Sequence, residues 1–414
     1  MTSETFPAQT SKPAVVKTTG FLVLLAILSA LGQFASNVYL PSLPAVTEQL
    51  GISGSVAALT YTIYLGAFAF AQLVYGPVAD RFGRRPLLLL GAILFVLGSG
   101  MCMLAGDVSW LLTGRVIQAI GAAAGVVMAR AMVRDVFSGP ELAKALALMT
   151  IVFALAPGLS PLLGGVLQDT LGWRSVFAAA AIAGVLVLIA ATVYAPETLA
   201  KKSDAISLSG TAKSYRAILA DTEFFRFALA TAFIIGAMSA FFVGSPIVFI
   251  DLLGVSATEY GLYPPLAITG FIIGSVATRK LAGRLAVYDL AKVGVSISLM
   301  GAILMVVFPL FGIEHKHAIN VSIVVFVSGM GVFMPTAVAI ALERFPERAG
   351  TAAAMLGFLQ MGIGAAASAG VGLLANAQPF LAFPIIMVVS ALSAFALVAT
   401  PNSDSSGDDI MSSS

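Results

Sequence analysis

Residues 76–86 read Gly76-Pro77-Val78-Ala79-Asp80-Arg81-Phe82-Gly83-Arg84-Arg85-Pro86, a charged turn set between two apolar runs. Those runs cover roughly 54–76 and 86–105, each long enough to cross a bilayer as a helix, which takes about 20 mostly apolar residues. Gly76 and Gly83 suit a tight turn and a close approach of helices. Asp80 can bond a nearby basic group or the positive N-terminal end of a neighbouring helix. Two apolar runs joined in this way make a membrane hairpin, and the same ruler can be carried along the chain.

It finds twelve segments, at roughly 18–40, 54–76, 86–105, 109–131, 145–167 and 174–194, then 225–250, 259–278, 290–311, 320–342, 351–373 and 380–400. The runs are continuous rather than alternating, which excludes the strands of a barrel. The expected fold is an all-α polytopic membrane protein with twelve transmembrane helices in two six-helix halves. Composition agrees: 59% of the 414 residues are hydrophobic and 10% charged, where a soluble domain has about half and a quarter. The polar stretch 195–224 divides the segments six and six. It separates an N-terminal bundle, 18–194, from a C-terminal bundle, 225–400; 1–17 and 401–414 read as solvated tails.

Charge placement sets the orientation. About nineteen of the Lys and Arg residues gather on one side, from Arg81, Arg84 and Arg85 through Arg130, Arg134, Lys201 and Lys202 to Arg344 and Arg348. Only Arg115, Arg174 and Lys316 fall toward the other. The positive-inside rule then puts both tails and the central loop in the cytoplasm. A net charge of +2 offers nucleic acid no basic footprint, and the single cysteine, Cys102, excludes an intrachain disulfide.

Two further segments carry chemistry. The fourth contains Arg115, a guanidinium within the apolar run, with Gln118 one turn away on the same face. Such a charge is costly in lipid and normally faces a polar cavity. The fifth reads Ala156-Pro157-Gly158-Leu159-Ser160-Pro161-Leu162-Leu163-Gly164-Gly165. Pro157 and Pro161 remove backbone donors and bend a helix, while Gly158, Gly164 and Gly165 let a partner pack closely.

The Gly-x-x-x-Asp-Arg-x-Gly-Arg-Arg order of residues 76–85 resembles the signature of the major facilitator superfamily. That resemblance implies a conformational latch between the halves, pairing Asp80, Arg84 and Arg85 with the inner helix ends near Arg130, Arg134, Asp135 and Gly350. The Arg115–Gln118 stretch is similar to the helix-4 motif of drug:proton antiporters, and residues 156–165 to the antiporter motif of exporters. Tyr39-Leu40-Pro41, Ala129-Arg130, Arg134-Asp135 and Ser245-Pro246 narrow the likeness to the twelve-helix bicyclomycin/chloramphenicol-resistance (Bcr/CflA) branch. The branch implies export across a bacterial inner membrane, driven by a proton gradient, with no cofactor.

At one position the chain departs from that branch. The acid that usually precedes Met-Tyr-Leu-Pro is replaced by Asn37, and no segment holds a carboxylate near its centre. The branch's proton carrier therefore has no counterpart at this position. Arg115 also lacks an acid to neutralise it, and a buried unpaired charge is disfavoured by several kcal/mol. An anionic or zwitterionic substrate could supply the partner, with Gln33, Asn37, Gln72, Gln118 and Gln360 as neutral contacts lining the same cavity.

Three functions follow for such a membrane-embedded monomer: export of a carboxylate-bearing metabolite such as a siderophore, efflux of lipophilic neutral or cationic antibiotics, or sensing on a transporter scaffold. Loss of the acid leans toward the metabolite. An enzyme is not expected, since no nucleophile–base pair is present. His315 and His317 lack the further ligands a metal needs. No phosphate-cradling glycine loop indicates ATP hydrolysis.

Overall fold

The computed structural model describes residues 19–200, 208–375 and 377–400. The expected tails and Lys201 and Lys202 lie outside them. Twelve helices are long and apolar enough to cross a membrane. The first half comprises α1 (Thr19–Asn37), α2 (Gly54–Phe82), α3 (Arg84–Met103), α4 (Val108–Val136), α5 (Gly139–Leu171) and α6 (Arg174–Tyr194). The second comprises α7 (Thr222–Pro246), α8 (Tyr263–Leu281), α9 (Val287–Leu310), α10 (Lys316–Glu343), α11 (Ala349–Ala375) and α12 (Ala382–Ala399). A short helix, Leu43–Leu50, follows α1, and a π turn, Ile247–Leu252, prolongs α7.

No internal repeat is evident in the sequence, yet the packing repeats. In the first half α3 packs on α4, α2 on α4, α1 on α5 and α3 on α6. Adding six to each number gives the contacts of the second half: α9 on α10, α8 on α10, α7 on α11 and α9 on α12. The halves meet along two seams, α2 with α11 and α5 with α8, which the same operation exchanges. This is the arrangement of two parallel repeats about an axis along the membrane normal.

Proline positions explain how the long helices survive. Pro77 lies inside α2 and leaves the carbonyl of Leu73 without its helical donor. The Tyr215 hydroxyl donates to that oxygen at 3.3 Å. Pro335 frees the carbonyl of Gly331 in α10 in the same way, and the Ser275 and Thr278 hydroxyls of α8 both lie 3.5 Å from it. Hydroxyls from neighbouring helices thus repair the gaps that proline makes in a span.

Two expectations need correction. The stretch 195–224 is not wholly a loop: Leu208–Leu219 is a helix, and α7 begins at Thr222, capped by the Asp221 carboxylate on the Phe224 N–H at 2.8 Å. This helix is amphipathic, burying Ile218 and exposing Lys213 and Arg216, so a ruler made for spans passes over it. Residues 76–86 are not an open turn either. Helix α2 runs on to Phe82 and α3 starts at Arg84, leaving Gly83 alone between them at φ +105°, a conformation that favours glycine.

Candidate functional site between the two halves

Arg115 is fully buried inside the first half. Its Nε donates to the Thr60 carbonyl at 3.3 Å, and Nη1 donates to the Ala35 carbonyl at 3.3 Å and to Gln118 Oε1 at 2.8 Å. Gln118 passes the chain on, donating to Ser99 Oγ on α3 at 2.9 Å. The guanidinium carbon also sits over the rings of Tyr64, Tyr39 and Phe177, at 4.1, 5.1 and 5.9 Å. Each desolvated cation–π contact contributes up to about 2 kcal/mol, so rings and carbonyls stand in for the missing carboxylate. Only Nη2 has no partner among the described residues.

The bonds of the six polar residues expected to line one cavity fall into separate groups. Asn37 is buried and donates to the Gln33 carbonyl at 2.8 Å and to Ser36 Oγ at 3.0 Å, all along α1. Gln360 donates to Thr231 Oγ1 at 3.2 Å, tying α11 to α7 inside the second half. Gln72 lines a cavity at the other end of α2. Arg115 with Gln118 forms a separate node, because the guanidinium satisfies itself within its own half.

The seam between the halves differs at its two ends. One end carries Arg81, Arg84, Arg85, Arg130 and Arg134 and is called the basic end here; the other is the opposite end. At the opposite end the glycines of α5 meet the approach to α8. A Cβ on Gly158 would overlap Ile268, and one on Gly165 would overlap the Ala257 carbonyl. In return a Cβ on Gly261 would stand 2.6 Å from the Pro161 carbonyl. Gly164 instead packs on the carbonyl of Val38, within the first half. Asp169 Oδ2 accepts the Thr258 N–H at 2.8 Å, and Thr62 and Ser368 share a hydroxyl bond at 2.8 Å between α2 and α11.

At the basic end the halves stand around a cavity of about 480 Å³. Gln72, Gly76, Asp80 and Arg84 line it from α2 and α3, Arg130, Arg134 and Asp135 from α4, and Gly350 and Thr351 from α11. Arg84 holds Asp80 at 2.8 Å and Asp135 at 3.3 Å. The backbone N–H groups of Arg84 and Arg85 donate to the Glu197 carboxylate at 2.9 and 3.3 Å, and Arg85 Nη2 donates to the Thr192 carbonyl at 2.9 Å. Of the residues expected to form a latch, Asp80, Arg84 and Asp135 bond one another, all inside the first half. Gly76 is neither in a turn nor at a close approach, since nothing lies within 4 Å of a Cβ built there.

Sequence reasoning missed Asp169, Gly261, Tyr215, Glu197 and Thr198. Glu197 and Thr198, which donates to Asp135 at 2.9 Å, sit in a stretch read as loop. Asp169 sits near a helix end, where an acid is unremarked unless its cross-half partner is known. A proline within α2 was the available signal for a donor such as Tyr215.

Comparison with known proteins agrees with this architecture. The Major Facilitator Superfamily model matches residues 22–369. The chain is 32% identical over 373 residues to the uncharacterized MFS-type transporter YdgK of Bacillus subtilis (strain 168), covering 89% of this chain and 92% of that one. It is 27% identical to the bicyclomycin resistance protein homolog of Haemophilus influenzae, covering 92% and 94%. It is 29% identical to multidrug resistance protein D of Escherichia coli (strain K12), covering 84% and 87%. Among solved structures, a peptide transporter POT in complex with sulfate superposes with a TM-score of 0.75 at 15% identity, covering 93% and 96%, a likeness of fold alone. With its twelve helices in two repeating halves, the chain belongs to the Major Facilitator Superfamily of transporters, in its bicyclomycin/chloramphenicol-resistance branch.

Proposed function

We propose that this transporter is an exporter of lipophilic small molecules, working by alternating access in a bacterial inner membrane with both termini in the cytoplasm. One observation carries the reading: the seam is sealed at the opposite end and holds a cavity at the basic end. With the basic end in the cytoplasm, as the positive-inside rule favours, that is the state in which an exporter loads. Rocking of residues 18–194 against 225–400 would then open the sealed end. The driving force would be the proton gradient, as the resemblance to the branch implies. The carboxylates of the twelve described helices lie in their end turns, so proton coupling would run through acids at the gates.

Efflux of antibiotics is preferred to export of an anionic metabolite for two reasons. The lean toward a metabolite rested on an Arg115 in search of an anion, and that guanidinium is enclosed by three rings and three acceptors. Two of the relatives above are named for bicyclomycin or multidrug resistance. The test is drug accumulation in cells that express or lack the protein, with and without a protonophore. Lower accumulation that the protonophore abolishes is the expected result. Unchanged accumulation of every drug tried, with loss of a single secreted anion on deletion, would return the reading to a metabolite exporter such as one for a siderophore.

A further inference from the structure

Three arginines line the cavity at the basic end, Arg84, Arg130 and Arg134, against two aspartates, Asp80 and Asp135. Arg84 engages both aspartates. Among the described residues, no ion pair or hydrogen bond reaches Arg130 or Arg134. These two stand one helical turn apart, so they share a face of α4. Across from them is the first turn of α11: Arg134 Nη1 lies 2.9 Å from where a Gly350 Cβ would be. A helix start presents N–H groups without intrahelical partners and about half a positive charge. Two cations and a helix N-terminus therefore converge on one cavity, with no acid left for them.

A separate observation lies deeper. Gln72 is eight residues along α2 from Asp80, about 12 Å of helix. It is 6% exposed and lines the same cavity, and its Oε1 has no hydrogen-bond partner among the described residues. Buried amide groups are normally bonded, and this unpaired oxygen lies against α11, 2.7 Å from where a Gly357 Cβ would be. Ser214 and Thr351 add hydroxyl-bearing residues to the lining.

We propose that this cavity binds a phosphate monoester. Its oxygens would bond Arg130, Arg134 and the N–H groups that face the cavity at the start of α11, and the rest of the molecule would lie toward Gln72. Paired guanidinium forks and a helix N-terminus are the groups that recognise phosphate. The site is built from α4 of one half and α11 of the other, so the bound anion ties the halves together in the present arrangement. The inference does not depend on which molecule the protein carries. The monoester can be a soluble metabolite or the headgroup of phosphatidic acid, and these share the chemistry.

The test uses the purified full chain. Melting is followed on titration with glycerol 3-phosphate in detergent, and separately in nanodiscs of phosphatidylcholine with and without phosphatidic acid. A saturable rise in melting temperature is expected. Arg130→Gln with Arg134→Gln should weaken the apparent affinity at least about tenfold, since each hydrogen bond to a charged group contributes on that scale. Gly350→Asp places a carboxylate beside Arg134; this variant should fold and no longer respond. Lys280→Gln with Lys292→Gln removes the same charge elsewhere and should respond as wild type. A response to glycerol 3-phosphate assigns a soluble ligand, and one confined to phosphatidic acid nanodiscs assigns the lipid. No response in either arm, or an equal response in wild type and Gly350→Asp, overturns the proposal.

Discussion

At the opposite end of the seam, α5 and the approach to α8 meet backbone on backbone: Gly165 lies on the Ala257 carbonyl and Gly261 on that of Pro161. At the basic end the first half turns arginines and aspartates toward the start of α11, and the ion pairs among them stay within that half. The first kind of contact is short-ranged and steric. It is made or lost within a fraction of an ångström, and salt does not touch it. The second is graded, because exposed charges are screened over about 8 Å at physiological salt and can exchange partners. A machine that must seal one side while the other stays adjustable has reason to build its two ends from different physics.

The sharpest way to break this comparison is Gly165→Ala. One methyl group there would overlap a main-chain carbonyl of the other half, and neither backbone can yield without separating the helices. Transport in proteoliposomes should fall to background while the protein inserts and melts normally. Normal transport would mean that the glycine seal is not needed for the cycle.

The comparison also assumes that each half moves as a unit, and Arg115 tests that for the first half. Its bonds reach α1, α2 and α4, and its rings come from the turn after α1, from α2 and from α6, all inside one bundle. Arg115→Met should lower stability by about 2 kcal/mol, the lost ring and hydrogen-bond contacts being partly offset by relief of desolvation. Substrate affinity in the protein that folds should be unchanged. An unaltered melting temperature with lost affinity would instead make Arg115 a substrate contact.

Asp169→Ala removes a charge-assisted bond across the sealed end while leaving the glycine packing intact. At an exposed position the expected shift is about 1 kcal/mol, roughly fivefold toward the open seam. Spin labels on the outer ends of α5 and α8 would report it as a change in distance populations. No change would leave the seal to packing alone.

How much of this was legible in the sequence follows from the range of the forces involved. Spans are legible because apolar length is a local property, and Gly158, Pro161 and Gly165 mark the seam because close approach demands small residues. The Arg115–Gln118 bond, at 2.8 Å, follows from helical spacing. The ring cage was not legible: Tyr39, Tyr64 and Phe177 come from a turn and two helices far apart in the chain, and aromatic residues in and beside spans are common. The pairing of Arg84 with Asp135, 51 residues away, was expected from the family resemblance and not from the residues alone, for charges do not name their partners. The helix at Leu208–Leu219 escaped notice because its apolar face is one stripe wide.

The smallest expected effect sharpens the other side of the comparison. Asp80 is 57% exposed and pairs with Arg84 across the Gly83 break between α2 and α3, so the pair is screened and contributes about 0.3–1 kcal/mol. Asp80→Asn should therefore lower turnover roughly two- to fivefold with KM unchanged, and the deficit should shrink as salt is raised. Asp135 is 22% exposed and accepts from both Arg84 and Thr198, so Asp135→Asn should cost more and depend less on salt. If the two variants behaved alike, the basic end would be a single steric contact like the opposite one. If they separate as burial predicts, the basic end is a network in which each pair shifts the equilibrium by its own increment, and Arg84, common to both pairs, is where those increments meet.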